Sequence, residues 1–272
     1  MTNTPALQRL ETAGGSIAYQ VEGEGPLVVC VPGMADLRSS YRHLTPQLVA
    51  AGYRVATVDL RGHGDSDTTF ESYDDEANAA DVAALIDRLG GPALIVGNSM
   101  GAAIGALVAA QRPESVSALA LLGPFVRDGK VSAATKAVMR FFTRPSFVAA
   151  TWKSYYPKLN AGAKPSDFAT YAAAVINGIR RPGHARAISQ TMLTSHAPAE
   201  AALPRVKTPT LVVMGDLDPD FASPHEEATW VADALRGDVA MIPDAGHYPH
   251  SQRPDLVGPL LVEFANRVTD HA

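Results

Sequence analysis

The chain of 272 residues contains a single cysteine, Cys30, which lies inside the apolar run Leu27–Val31. One cysteine cannot form an intramolecular disulfide, so the fold has to be held together by its core rather than by covalent crosslinks. A thiol inside an apolar run is typical of an inert core residue, and we interpret Cys30 in that way rather than as a reactive nucleophile.

Positive charge is also scarce. The chain has 23 Lys and Arg against 28 Asp and Glu, for a net charge of −5, and no run of basic residues is longer than two. A nucleic-acid-binding protein needs a basic patch or stripe to neutralise phosphates, so this composition argues against a nucleic-acid partner. We expect a small-molecule substrate as the partner, and either a monomer or a homodimer.

The chain lacks a convincing membrane segment. Residues 93–110 carry no charge, but the triplet Gly97-Asn98-Ser99 interrupts them, so a buried strand followed by a buried helix explains the composition better than a membrane helix. Residues 1–15 contain no apolar stretch typical of a signal peptide. We therefore expect no membrane partner and a cytoplasmic location.

What the sequence does contain is a regular alternation of strand and helix patterns. The first two strand patterns are separated by Gly14-Gly15 and indicate an antiparallel hairpin at a sheet edge. The others alternate with helical stretches, which predicts an α/β fold: a mostly parallel, eight-stranded sheet with helices on both faces. The expected strands are residues 7–13, 16–21, 27–31, 54–58, 92–96, 116–122, 209–214 and 238–242. The expected helices outside the insertion described next are residues 39–51, 73–89, 102–110, 225–235 and 254–268.

Residues 125–202 break this alternation. The segment shows helical stretches interrupted by prolines, no strand pattern, and many aromatic residues. We predict that it is a helical lid inserted into a core domain formed by residues 1–124 and 203–272. Its large aromatic residues are Phe141, Phe142, Phe147, Trp152, Tyr155, Tyr156, Phe168 and Tyr171.

A Gly-x-Ser-x-Gly pattern at residues 97–101 places Ser99 between an apolar strand pattern and an Ala-rich helical pattern. That setting is typical of a nucleophile elbow, in which a serine occupies the apex of a tight turn and the flanking glycines leave room for it. Ser99 is therefore the candidate nucleophile. Because a serine hydroxyl is weakly nucleophilic at neutral pH, the chain must also supply a base and an acid.

The candidate base is His247, which follows the last strand pattern and is preceded by Gly246. The candidate acid is Asp218 in the loop Gly215–Asp220, while Asp216 and Asp220 are interpreted as loop-capping or solvated carboxylates. His250 lies three residues after His247, which would suit a pair of metal ligands, but no second ligand cluster supports a metal site. We expect no metal and no organic cofactor.

Catalysis by such a serine also needs two backbone N–H groups that bind the oxyanion of a tetrahedral intermediate. Met100 follows the nucleophile and would supply one of them. Met34 follows Gly33 in the loop after the Leu27–Val31 strand and would supply the other. Both are backbone roles, so the side chains at these positions say little about activity.

Several motifs together resemble the α/β-hydrolase superfamily over nearly the whole chain: Asp59-Leu60-Arg61-Gly62-His63-Gly64-Asp65-Ser66, Gly215-Asp216-Leu217-Asp218-Pro219, and Gly246-His247 with Pro254 downstream. The order of the expected triad, Ser99, Asp218, His247, is that of the superfamily. One departure concerns the oxyanion loop. The superfamily usually has His-Gly where this chain has Pro32-Gly33, and that histidine normally supports the loop, so here the loop would be braced differently.

The resemblance implies a serine hydrolase that cleaves a small, largely apolar ester or lactone through an acyl-enzyme on Ser99. The elbow also resembles that of C–C bond hydrolases acting on aromatic ring-cleavage products, although Tyr248 stands where those enzymes carry a tryptophan. Cofactor-free haloperoxidase or perhydrolase activity and a non-catalytic ligand receptor are further alternatives. A serine nucleophile argues against an epoxide hydrolase or dehalogenase. The expected substrate-pocket residues are Asn98, Phe125, Trp152 and Tyr248. Arg180 or Arg181 could bind a substrate carboxylate, but a solvated arginine is the favoured interpretation.

Overall fold

A computed structural model describes residues 5–129 and 132–269 and contains one eight-stranded sheet, as the sequence predicts. The strand order across the sheet is β1-β2-β4-β3-β5-β6-β7-β8. The pairs β1–β2 and β2–β4 are antiparallel, and the remaining pairs are parallel. The strands are β1 (Gln8–Thr12), β2 (Gly15–Glu22), β3 (Leu27–Val31), β4 (Arg54–Val58), β5 (Ala93–Asn98), β6 (Val116–Leu122), β7 (Thr210–Gly215) and β8 (Asp238–Ile242).

Helices cover both faces of the sheet. Within the described residues they are α1 (Thr45–Ala50), α2 (Asp75–Leu89), α3 (Met100–Gln111), α4 (Ala133–Phe142), α5 (Val148–Leu159), α6 (Phe168–Ile179), α7 (His184–Thr191), α8 (Ala197–Ala202), α9 (Pro224–Leu235), α10 (Pro249–Gln252) and α11 (Pro254–Thr269). In the same part of the chain, no helix is both long and apolar enough to cross a bilayer.

The central strands are buried because their side chains alternate between two separate cores. From β3, Val29 and Val31 pack with helices α2, α3 and α9 on one face, whereas Val28 and Cys30 pack with α1 and α11 on the other. A strand covered on both faces has to be apolar throughout, which explains the continuous apolar run at residues 27–31. Cys30 is fully buried, in agreement with its interpretation as a core residue.

The stretch between β6 and β7 contains helices α4 to α8. Side chains of α5, α6 and α7 form a third apolar cluster together with Ala35 and Tyr248 from the sheet-bearing part of the chain. Trp152, Tyr156 and Tyr171 are the large aromatic members of this cluster. The division into a core of residues 1–124 and 203–272 and a lid of residues 125–202 stays a prediction.

The structure differs from the expectation at residues 39–51. A short 3-10 turn, Arg38–Tyr41, and the separate helix α1 replace the single helix predicted there. Pro46 lies at the start of α1, where its missing N–H is tolerated. In a single helix over residues 39–51, the same proline would lie in the helix interior, where it would remove a backbone hydrogen bond and clash with the preceding turn. The apolar periodicity correctly predicted helical structure in this region, but it did not predict where the helix is interrupted.

Candidate active site

The loops that carry the predicted site all follow the carboxyl ends of parallel strands. They are residues 32–36 after β3, 59–67 after β4, the elbow after β5, 215–220 after β7 and 243–250 after β8. Because β5 lies between β3 and β6, the elbow emerges near the middle of this edge of the sheet. Ligands of open α/β sheets bind at this edge.

Backbone strain is concentrated in these same loops. Four non-glycine residues of the described chain have a positive φ, and three of them lie here: Ala35 at 58°, Ser99 at 53° and Asp244 at 57°. L-residues adopt such angles at an energetic cost, and strain of this kind often clusters at functional sites. The strain therefore agrees with the site that the motifs point to.

The elbow requires both of its glycines. A Cβ on Gly97 would lie 2.2 Å from the carbonyl oxygen of Gly101, and one on Gly101 would lie 2.2 Å from that of Val31. Ser99 is held at the apex by its own backbone, since its N–H donates to the Leu122 carbonyl at 3.0 Å. Only 7% of Ser99 is exposed, so the site is almost closed.

The structure brings His247 and Asp218 together as a buried pair. His247 Nδ1 donates to Asp218 Oδ2 over 2.7 Å, whereas Asp220 Oδ2 is 3.8 Å from the same nitrogen. Asp216 lies elsewhere in the loop, exposed, with one oxygen near the Ala245 N–H. With Nδ1 engaged in this way, Nε2 is the ring nitrogen left for proton exchange with a nucleophile.

The backbone of His247 is anchored from two sides. Its N–H donates to the Leu159 carbonyl at the end of α5, over 2.8 Å. Its carbonyl accepts a hydrogen bond of 3.0 Å from Asn98, the residue next to Ser99. A Cβ on Gly123 would lie 3.3 Å from both His247 Nδ1 and Asp218 Oδ2, so a side chain directly after β6 would crowd this pair.

The charge environment of His247 favours its protonated form. Burial by itself would lower the pKa of this histidine, but the charge and hydrogen bond of Asp218, and then the charges of Asp220 and Asp36, raise its pKa to about 9. Three carboxylates therefore stabilise an imidazolium at this position. A base that becomes positively charged as it accepts a proton benefits from such an arrangement.

Asp36 is a site residue that the sequence reasoning missed. It is fully buried at the end of the loop after β3, where its Oδ1 accepts from Tyr171 Oη at 2.6 Å and from the Leu37 N–H at 2.8 Å. Its Oδ2 has no hydrogen-bond partner within the described residues. Burial raises the pKa of this carboxyl to about 6. The only available signal was an acidic residue two positions after Met34, which does not predict burial.

The expected oxyanion loop lies against the elbow. A Cβ on Gly33 would be 3.0 Å from Ser99 Cβ and 3.3 Å from Asn98 Oδ1, so the glycine allows this close approach without crowding the elbow. Met34 follows Gly33 and is partly buried, and Met100 is the first residue of α3. The roles of the Met34 and Met100 N–H groups stay predictions.

The four expected pocket residues have different surroundings. Asn98 is fully buried and donates to the Leu122 and His247 carbonyls, while its Oδ1 has no partner within the described residues, and its role in a pocket stays a prediction. Phe125 packs against His196 and Phe221. Trp152 and Tyr248 share the third apolar cluster, in which the Tyr248 ring lies 5.3 Å from His247 and the Trp152 Nε1 has no partner within the described residues.

The other polar candidates are engaged elsewhere. His250 bonds Ser40 Oγ at 2.8 Å and stacks on Tyr41, and burial lowers its pKa to about 3. Arg181 bonds the Gly64 carbonyl and Asp65, and Arg180 is exposed. One ligand atom from each of Asp218, Asp220 and His247 lies within 4.8 Å of the others, but this cluster coincides with the candidate acid and base.

Comparisons with known proteins identify the family of this chain. The model of the alpha/beta hydrolase family matches residues 28–259. The chain therefore belongs to the α/β-hydrolase family. Over 262 residues it is 31% identical to a Mycobacterium tuberculosis protein named as a non-heme bromoperoxidase, BpoC, with 92% of this chain and 97% of that one covered.

Two further relatives widen the range of activities. A Mesorhizobium japonicum protein named 2-(acetamidomethylene)succinate hydrolase is 25% identical over 265 residues, covering 94% of each chain. The solved structure of a thermophilic esterase from Thermogutta terrifontis superposes with a TM-score of 0.77 at 25% identity, covering 96% of this chain and 99% of that one. These names support enzymatic activity of the hydrolase type, and they differ in substrate.

Proposed function

We propose that this protein is a serine hydrolase that cleaves a small, largely apolar carboxylic ester or lactone through an acyl-enzyme on Ser99. The observation that carries the proposal is the buried His247–Asp218 pair, with 2.7 Å between Nδ1 and Oδ2, whose backbone is tied through Asn98 to the strained elbow. A base oriented by an acid beside an elbow serine is the arrangement that acyl transfer needs.

In the proposed reaction, Ser99 Oγ attacks the substrate carbonyl carbon while His247 Nε2 takes the hydroxyl proton. The oxyanion that forms accepts hydrogen bonds from the Met34 and Met100 N–H groups. The tetrahedral intermediate collapses, the bond to the leaving alcohol breaks, and His247 returns its proton to that alcohol. Water then attacks the acyl-enzyme with His247 again as the base, which releases the acid and restores Ser99.

The apolar substrate preference rests on the third cluster. Trp152 and Tyr156 from α5 and Tyr248 beside His247 are buried there, so the surface next to the base is aromatic. Burial of an apolar acyl or alcohol group against such side chains is favourable, while the reacting carbonyl needs only a few placed donors. Residues 125–202 would act as the lid that closes over this surface.

Three contacts between this lid and the loops of the site support that role. Tyr171 Oη donates to Asp36, Tyr155 Oη donates to Asp220, and the Leu159 carbonyl accepts from the His247 N–H. The lid therefore touches the oxyanion loop, the acid loop and the histidine loop. A change in its position would alter all three.

The test compares hydrolysis of p-nitrophenyl esters of increasing acyl length by the wild type and by Ser99→Ala. We expect Ser99→Ala to lose activity by roughly a thousandfold or more, and to lose labelling by a fluorophosphonate probe. The control is Ser154→Ala, an exposed serine on α5, which should behave like the wild type. Undiminished hydrolysis by Ser99→Ala would refute the proposal, and failure of the folded wild type to be labelled would favour a non-catalytic receptor.

A perhydrolase or haloperoxidase is the second candidate, favoured by the relative named as a bromoperoxidase. The same acyl-enzyme would then be attacked by hydrogen peroxide instead of water, forming a peracid. Ester hydrolysis and peroxide-dependent halogenation measured on one preparation separate the two. The C–C hydrolase alternative stays open, and turnover of a dienoate ring-cleavage product that exceeds turnover of simple esters would favour it.

A further inference from the structure

The loop that would carry one oxyanion donor needs a brace from outside itself. Pro32 has no N–H and no polar side chain, so it cannot anchor the loop through a donated hydrogen bond or a side-chain hydrogen bond. Ala35, directly after Met34, has a φ of 58°. A residue with a Cβ keeps this backbone angle only where its surroundings determine it.

His63 supplies such a contact from the loop after β4. Its Nε2 accepts a hydrogen bond of 2.8 Å from the Ala35 N–H, and its Nδ1 lies 2.8 Å from the Arg61 carbonyl. Since a carbonyl can only accept, Nδ1 carries the proton and Nε2 presents its lone pair to Ala35. His63 is buried, and burial lowers its pKa to about 4, in keeping with a neutral ring that makes both bonds.

We propose that His63 is a positioning residue of the oxyanion hole: through the Ala35 N–H it holds the peptide that follows Met34, and so aims the Met34 N–H at the reacting carbonyl. The inference rests on the proposed function. His63 does not touch the substrate, and its effect reaches the reaction only through the conformation of residues 33–35.

A neighbouring histidine offers a matched control. His184 of α7 is also buried, and its Nδ1 bonds the Gly62 carbonyl at 2.9 Å, in the same loop that carries His63. It therefore supports the loop after β4 without bonding Ala35. A variant of His184 shows how much activity depends on support of this loop alone. A variant of His63 shows, in addition, how much activity depends on the hydrogen bond to Ala35.

Two amide side chains can separate the two bonds of His63. In His63→Asn the amide nitrogen takes the place of Nδ1, so the bond to Arg61 can persist while the acceptor for Ala35 is lost. In His63→Gln the longer side chain can place an oxygen where Nε2 was, so the acceptor for Ala35 is retained. The two variants therefore differ in the hydrogen bond to Ala35, while the polarity of the side chain changes little.

We expect His63→Asn to lower kcat by roughly a hundredfold, the usual scale for loss of an oxyanion donor, with KM within about threefold of the wild type. Binding of phenylboronic acid, which forms a tetrahedral adduct on serine, should weaken in parallel with kcat. His63→Gln should recover at least about tenfold of the loss, and His184→Asn should stay within about threefold of the wild type. A purely structural role would not spare KM or single out the tetrahedral adduct.

The inference is overturned if folded His63→Asn turns over like the wild type, or if His184→Asn loses as much activity. If His63→Asn does not fold, His63→Gln is the deciding variant. A His63→Gln protein that melts cooperatively but has a hundredfold lower kcat would refute the positioning role of His63. If Ser99→Ala hydrolyses esters as fast as the wild type, the proposed function itself is refuted. If Ser99→Ala is inactive but the His63 variants keep the wild-type kcat, only this inference is refuted.

Discussion

Apolar side chains are buried in the central strands but largely exposed in and just after helix α4. In β3, β5 and β7 every residue is buried, because both faces of the sheet are covered by helices. In α4 and just after it, Val138, Met139, Phe141, Phe142 and Phe147 are each at least 40% exposed. The sheet is thus held by apolar packing on both faces, whereas α4 leaves its apolar side chains exposed and the neighbouring helices α5 to α7 join the site loops through the third apolar cluster and a few polar contacts. We expect changes at the sheet edge to remove activity, and changes in the insertion to adjust it.

The largest effect should come from the acid at the sheet edge. Asp218→Asn removes the charge that orients and stabilises protonated His247, so kcat should fall by roughly a thousandfold or more in ester hydrolysis. Asp216→Asn in the same loop is the control and should change kcat by less than about twofold. Equal effects of the two variants would contradict the choice of Asp218.

The next comparison concerns stability. Ile95→Ala in β5 leaves a cavity in a fully buried position and should reduce the free energy of unfolding by about 2–5 kcal/mol. Phe142→Ala in α4 removes a half-exposed ring and should change it by less than about 0.5 kcal/mol. Urea unfolding of both variants measures the contrast, and a loss at Phe142 as large as that at Ile95 would show that α4 is packed against something.

A smaller effect should appear in the pH profile of kcat/KM. The carboxylate of Asp220 helps to raise the pKa of His247, so Asp220→Asn should lower that pKa. Activity needs neutral His247 in the free enzyme, hence the rising limb of the profile should move to lower pH while maximal kcat is largely kept. An unmoved limb, or one that moves to higher pH, would contradict this assignment.

The smallest expected effect concerns the contact between α6 and the oxyanion loop. Tyr171→Phe removes the hydrogen bond to the buried Asp36 and should destabilise the fold by about 1–3 kcal/mol, because the carboxyl loses a partner. We expect KM to change more than kcat, since in the proposed function residues 125–202 cover the substrate and the variant leaves Ser99, Asp218 and His247 in place. Tyr155→Phe, at a half-buried tyrosine that bonds Asp220, is the comparison and should cost less stability. A Tyr171→Phe variant that melts like the wild type would show that this bond adds nothing.

The sequence by itself determined the parts that depend on local pattern. Continuous apolar runs located the central strands, because a strand buried on both faces has to be apolar along its length, and the pattern around Gly14-Gly15 located the hairpin at the sheet edge. The glycine spacing located the elbow, because backbone atoms lie where a Cβ at Gly97 or Gly101 would be. The order of serine, acid and histidine patterns along the chain predicted the fold family.

Tertiary structure alone decided the contacts between distant loops. Asp36 meets Tyr171 across 135 positions of sequence, His63 meets Ala35 across 28, and Asn98 meets the His247 carbonyl across 149. Periodicity reports which side of an element is buried, but it does not report which polar atoms from different loops face each other there. That pairing depends on how the loops pack over the edge of the sheet, and no local pattern in the sequence records it.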